Sequence, residues 1–228
     1  ISVRALLLNI DSPGGSPTAA EEIGKELERF KAVSKKPIVA TMGDTGASAA
    51  YWIAACASDK IYANATTLTG SIGVYVPYLN VQKLMENFGV TSDMIKSGEH
   101  KGMLSPDREL TQEEKDIMQN LVNEIHEQFI DVVAKGRHMD GQQLRSLADG
   151  RVYTGKQAKN VGLIDEVGNY YDALAEAAKL GGIDGTPVIK KRPKESPWEA
   201  ILGAEIVNNL KAQLLQGLQG NFAEVSPR

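Results

Sequence analysis

Ala5-Leu6-Leu7-Leu8-Asn9-Ile10 runs straight into Asp11-Ser12-Pro13-Gly14-Gly15, and these residues decide the fold. A nearly unbroken apolar run of this length reads as a strand of a parallel sheet with both faces covered. The Pro/Gly turn stops it. Thr18 and Glu21 then stand at capping-box spacing, and Ile23, Leu27 and Phe30 make a stripe at i, i+4 and i+7, so a helix is expected next. Strand, turn and helix open a βαβ crossover. Pro37 to Met42 supplies the following strand, and Gly43-Asp44-Thr45-Gly46-Ala47-Ser48-Ala49-Ala50 leads into a helix through Ala57.

Working outward, Lys60 to Ala63, Thr69 to Val76 and Ser92 to Lys96 read as strands, and Val81 to Phe88 as a short helix. A polar loop covers Ser97 to Arg108. From Thr111 to about Lys135, Ile117, Leu121, Ile125, Phe129 and Val132 keep helical period, with Thr111 and Glu114 as a second capping box. Helices are also expected at Gln142 to Ala148, Gly155 to Val161 and Tyr170 to Leu180. The alternation implies one α/β domain with a parallel or mixed sheet over residues 1–183. Residues 184–228 form an extension with the basic run Lys190-Lys191-Arg192-Pro193-Lys194. Its amphipathic helix begins at Trp198, and Ile201, Leu202, Ile206, Val207 and Leu210 suit a contact between subunits.

With 228 residues, 42% of them apolar, the chain can bury a substantial core. A net charge of −4 and a pI near 5.5 give no phosphate-binding surface, so a nucleic-acid partner is not expected. The single thiol, Cys56, has no partner for a disulfide, and it sits two turns beyond Ser48 as a core residue. No Cys/His spacing suits a metal, and His100, His126 and His138 are isolated. Neither metal nor cofactor is expected. No run reaches the roughly 18 apolar residues of a membrane span, so the chain itself is expected to be soluble. It opens at Ile1 almost inside a strand, which reads as a processed fragment with any anchor upstream.

Gly14-Gly15 after a strand lets backbone N–H groups approach a ligand, as half of an oxyanion hole does; Pro-Gly-Gly also serves many plain turns. Ser48 stands among Gly46, Ala47, Ala49 and Ala50 at a helix start. Small neighbours admit a substrate backbone there, yet a serine in that place is usually an N-cap. No Gly-x-Ser-x-Gly elbow or His partner is present. A lysine acts as base only when its pKa is lowered. Lys101, flanked by Gly98, His100, Gly102 and Met103, has a less charged setting than most basic residues, although composition alone leaves it a surface charge. Ser71 in Thr69-Gly70-Ser71-Ile72-Gly73 is placed either to orient a lysine amine or to enter a strand.

The turn at Asp11 to Gly15, Gly46-Ala47-Ser48-Ala49-Ala50-Tyr51, Leu68 to Val74, Ile95 to Lys101 and Ala148 to Gly155 together resemble the signal peptide peptidase A family of serine/lysine peptidases. The resemblance covers Ala5 to about Ile183. It implies the fold shared by crotonase and the Clp protease proteolytic subunit, in which repeated ββα and βαβ units assemble into rings. It also implies Ser48 as nucleophile, Lys101 as base, Ser71 as the lysine-orienting hydroxyl, and the N–H groups of Gly15 and Ala49 as oxyanion donors. Many relatives have two glycines where this chain has Ala49-Ala50. A membrane-tethered homo-oligomer, each subunit incomplete by itself, is further implied, cleaving signal-peptide remnants and other unfolded segments on the outer side of the cytoplasmic membrane. The alternatives are an acyl-CoA enzyme of the crotonase fold, which does not need Ser48, Ser71 and Lys101 together, and an inactive scaffold of the same fold.

Overall fold

The N-terminal apolar run forms β1, Leu6–Ser12, which pairs in parallel with β2, Ile38–Ala47. The computed structural model describes residues 3–190, and Ile1–Pro187 make one compact unit. Burial corrects the reading of β1. Ile38, Val39, Ala40, Thr41 and Met42 of β2 are the residues covered on both faces. Leu6, Leu7 and Leu8 of β1 are only half-buried and Asn9 is exposed, because β1 has a single neighbour among the described strands.

The strand β2 changes partner along its length. Val39 to Met42 pair with β3, Lys60–Ala63, whereas Thr45 to Ala47 pair with β4, Leu68–Gly70. The outer strands are β5, Val152–Thr154, antiparallel to β4, and β6, Glu166–Val167, parallel to β3. The order β5-β4-β2-β3-β6, with β1 also on β2, makes a mixed sheet of an α/β fold. Thr69 to Val76 does not continue as a strand: Gly70 and Ser71 take φ of 76° and 50°, which ends the ladder. Ser92 to Lys96 forms no strand and is exposed, with Ser92 Oγ donating instead to Asp107.

Helix α1, Pro17–Ser34, is capped two residues earlier than the spacing of Thr18 and Glu21 suggests. Ser16 Oγ accepts from Ala19 N at 3.3 Å, and Pro17 takes the first turn, where no N–H is needed. Its buried face is Ala20, Gly24 and Leu27, with Ile23 turned to solvent. Helix α2, Ala49–Ala57, is the core helix, with Tyr51, Trp52, Ala54 and Ala55 buried and Tyr51 Oη donating to Leu163 O at 2.6 Å.

After α3, Gln82–Asn87, comes the long α4, Gln112–Arg137, which carries the expected capping box of Thr111 and Glu114. It crosses α2 at Gly136, where a Cβ would lie 1.9 Å from Ala55 O, so only glycine permits this approach. Phe129, Ile130 and Val133 anchor its second half, while Leu121 in the first half is exposed. Helix α5 is shorter than expected, Gly141–Arg145, and α6, Gly155–Asn160, and α7, Tyr170–Leu180, complete the unit. Among the described residues no helix is long and apolar enough to cross a membrane. The helix expected from Trp198 lies outside the described residues.

Candidate active site

Both β1 and β2 end at the same place, and the chain does something unusual after each. Asp11 Oδ1 accepts from Thr45 N at 3.0 Å, fixing the end of β1 against β2. Gly14 then takes φ 108°, and a Cβ there would stand 2.7 Å from Ser48 Cβ and 2.9 Å from Ala47 O. Only glycine lets this turn lie against the start of α2.

Ser48 occupies the position of a helix cap without acting as one. Its φ is 54° and ψ −128°, and its side chain makes no capping bond. That conformation is the first central position of a type II′ turn, which favours glycine. A serine held there is strained, and such strain gathers at functional sites. Two bonds hold it: Ser48 N donates to Gly70 O at 2.8 Å, and Ser48 O accepts from Trp52 N at 3.0 Å. The next amide, Ala49 N, is one of the first N–H groups of α2, which have no partner within the helix. Gly14 lies against that amide, with a Cβ position 3.0 Å from it.

Gly15, Ser48 and Ala49 line one cleft of about 110 Å³. Its apolar wall includes Trp52 and Phe129, whose ring centroids are 5.1 Å apart, and its other side includes Val74 and Tyr75. Sequence reasoning missed Trp52. Its spacing of four residues from Ser48 on α2 was the available signal, since one helical turn puts both on the same face.

Ser71 follows Gly70, the acceptor for Ser48 N, and has φ 50° of its own. Its amide donates to Arg151 O at 2.8 Å, and Gly150 N donates to Ile72 O at 3.0 Å, so the residues before β5 hold the turn from both sides. Ser48 and Ser71 are therefore neighbours through one backbone bond. Lys101 stands elsewhere. It is exposed, in a 3₁₀ turn at Glu99–Gly102, and it is not among the residues that line the Ser48 cleft. Its Nζ enters no ion pair among the described residues.

The remaining candidates are structural. Burial pushes the Cys56 thiol up to about 12, and its Sγ donates to Ile53 O at 3.2 Å, the behaviour of a packed residue rather than a nucleophile. His138 ends α4 in a left-handed conformation, and His100 Nε2 lies 3.6 Å from Glu113 Oε1. Among the described residues no group of His, Cys, Asp and Glu is placed to hold a metal ion.

The description Peptidase family S49 matches residues 31–184. A protein of Enterococcus faecium named as a signal peptide peptidase SppA is 41% identical over 189 residues, 83% of this chain and 54% of that protein. One of Synechocystis sp. named as a protease is 42% identical over 180 residues, 79% of this chain and 64% of the relative. Protease 4 of Haemophilus influenzae is 35% identical over 181 residues, 78% of this chain and 29% of its own length. The chain thus spans about half to just under two thirds of the first two relatives. The match begins after the Gly14-Gly15 turn and takes in Ser48, Ser71 and Lys101, and on that similarity the chain belongs to peptidase family S49.

Proposed function

We propose that this chain is the catalytic domain of a serine endopeptidase in which Ser48 is the nucleophile, Lys101 the general base and Ser71 the hydroxyl that orients the lysine. The observation that carries this reading is the state of Ser48: held at φ 54° at the head of α2, with its N–H committed to Gly70 and its hydroxyl free of any capping bond. A serine kept in a costly conformation with no structural bond from its side chain is placed for chemistry.

In the proposed reaction, neutral Lys101 takes the Ser48 proton as Oγ bonds to the peptide carbonyl carbon. The oxyanion that forms accepts from the N–H groups of Gly15 and Ala49, each donor of this type contributing about 3 kcal/mol to barrier lowering. The C–N bond then breaks and the lysine ammonium returns its proton to the leaving amine. Water attacks the acyl carbon, giving a proton to Lys101, and as the C–Oγ bond breaks Lys101 returns that proton to Ser48 Oγ, releasing the acid product.

A lysine base needs desolvation, which an exposed Lys101 lacks in a single chain. A homo-oligomer supplies it: a neighbouring copy covers the Lys101 segment and completes the site. The same segment is rich in exposed apolar side chains, with Phe88 76% and Ile95 fully exposed, a surface of the kind that a partner covers. An apolar cleft beside Ser48 suits extended, unfolded peptide, including signal-peptide remnants, and a tether outside this chain would keep the domain at the outer face of a membrane.

A fluorophosphonate probe tests the nucleophile. It is expected to label wild-type protein at Ser48 and to leave Ser48→Ala unlabelled, with Lys101→Ala folded but inactive on an unfolded peptide. Normal peptidase activity in Lys101→Ala would refute the dyad, and tight coenzyme A binding without labelling would move the chain to the acyl-CoA reading.

A further inference from the structure

Glu114 is the one charged residue among the described residues that is fully buried, at 2% exposure. A buried carboxylate needs a partner that meets it with hydrogen bonds as well as charge. Arg108 is that partner. Its Nη1 donates to Glu114 Oε2 at 2.7 Å and its Nη2 to Glu114 Oε1 at 2.6 Å, the two-pronged geometry that only a guanidinium provides. The Arg108 hydrogen bond, followed by the Thr111 backbone, holds the Glu114 carboxyl down at about 2.

Nη2 makes a further bond, to Gly102 O at 2.8 Å. Gly102 is the residue after Lys101 and the buried end of the 3₁₀ turn that carries it. Glu114, meanwhile, completes the N-terminal cap of α4 by accepting from Thr111 N at 3.0 Å. One chain of bonds therefore runs from the head of a 26-residue helix through Glu114 and Arg108 to the Lys101 turn. The turn has no strand to hold it. The loop around Arg108 is itself tied down, since Val81 N donates to Pro106 O at 2.7 Å and Glu109 N to Gln82 Oε1 at 3.2 Å.

We propose that Arg108 and Glu114 are positioning residues for Lys101: an ion pair between the half-buried Arg108 and the buried Glu114 anchors the Lys101 turn to the rigid start of α4 and fixes where the amine is presented. This rests on Lys101 being the base. Neither side chain touches substrate, and neither takes a proton in the reaction. Lysine at 108 would keep the charge but cannot grip both carboxylate oxygens and the Gly102 carbonyl at once.

The test compares Arg108→Lys, Glu114→Gln and Lys101→Ala in the assembled protein, with rates normalised to sites titrated by a fluorophosphonate so that only folded, reactive enzyme is counted. Arg108→Lys is expected to lose about 10- to 100-fold in kcat with KM within about twofold, as misplacement of a catalytic group does. The rising limb of its pH–rate profile should also change, because a displaced base no longer meets the serine hydroxyl in the same geometry. Glu114→Gln should alter both readouts in the same way. If Lys101→Ala is inactive while Arg108→Lys keeps wild-type kcat and profile per titrated site, the clamp is wrong and the dyad stands, even if the melting temperature falls. If Lys101→Ala stays active, the base assignment itself has failed and the clamp with it.

Discussion

No side chain fits between Gly14 and Ser48: a Cβ at residue 14 would lie 2.7 Å from that of the serine. The turn after β1 and the head of α2 are thus one packed object, although Gly14 and Ser48 lie 34 positions apart in the sequence. Gly14→Ala meets both this clash and a φ of 108°, and it is expected to cost about 1–3 kcal/mol in denaturant unfolding. Displacing Ser48 from the Gly15 amide should lower kcat/KM about 100-fold, more than the stability loss explains. Wild-type kcat/KM in a destabilised Gly14→Ala would separate the turn from the chemistry.

Ser48 itself is expected to show the conflict between stability and activity. Serine at φ 54°, ψ −128° carries roughly 1–3 kcal/mol of strain, and glycine removes it at a chain-entropy cost of about 0.5–1 kcal/mol. Ser48→Gly should therefore be inactive but more stable by about 1 kcal/mol, a rise in melting temperature of about 2–4 °C. Ser48→Ala keeps the strained backbone and loses no capping bond, so its melting point should stay near wild type. A Ser48→Gly protein that melts lower than Ser48→Ala would mean that the serine conformation is not strained.

The turn at Gly14-Gly15 and the helix start at Ser48 could be read from the sequence, whereas the roles given to Ser48, Ser71 and Lys101 come only from the family resemblance. Strand, turn and helix signals around Gly14-Gly15 and Ser48 are local, and local chemistry is what a sequence states directly. Burial of β1 was misjudged because an apolar run says that a strand can be covered, not how many neighbours it finds; β2 took the centre instead. The cap of α1 fell to Ser16 because Pro17 beside it is already set for the first helical turn. Trp52 and the Arg108–Glu114 pair were not seen, for a common reason. A tryptophan in a core helix and a charge in a polar loop look ordinary until the fold shows that one walls the Ser48 cleft and the other reaches a buried carboxylate.

Tyr75 offers a test of the cleft that does not disturb the fold. The side chain is 84% exposed yet lines the cleft beside Ser48, so it can touch substrate without supporting the core. Tyr75→Ala is expected to change stability by less than about 0.5 kcal/mol. Loss of an aromatic contact of about 1 kcal/mol should raise KM for an unfolded peptide roughly fivefold with little change in kcat. Unchanged KM would place the peptide on another wall.

Acid stability should report the Arg108–Glu114 pair. The folded carboxyl of Glu114 sits at about 2, held first by the Arg108 hydrogen bond, whereas its ordinary value is 4.5. A depressed acid contributes stability that is fully present above its unfolded pKa and disappears as pH falls toward its folded pKa. For Glu114 the window runs from about 4.5 down to about 2. Between pH 5 and pH 7 this group therefore adds no slope to the stability curve. Below pH 4.5 it adds one proton of uptake on unfolding, so wild-type stability should fall with pH. Glu114→Gln removes that titrating group, and its stability should be lower at pH 7 but flatter between pH 4.5 and pH 2, so that the two proteins converge in acid. Denaturant midpoints measured across this range check the point. Parallel curves for the two proteins would show that the carboxyl of Glu114 is not held ionised by Arg108.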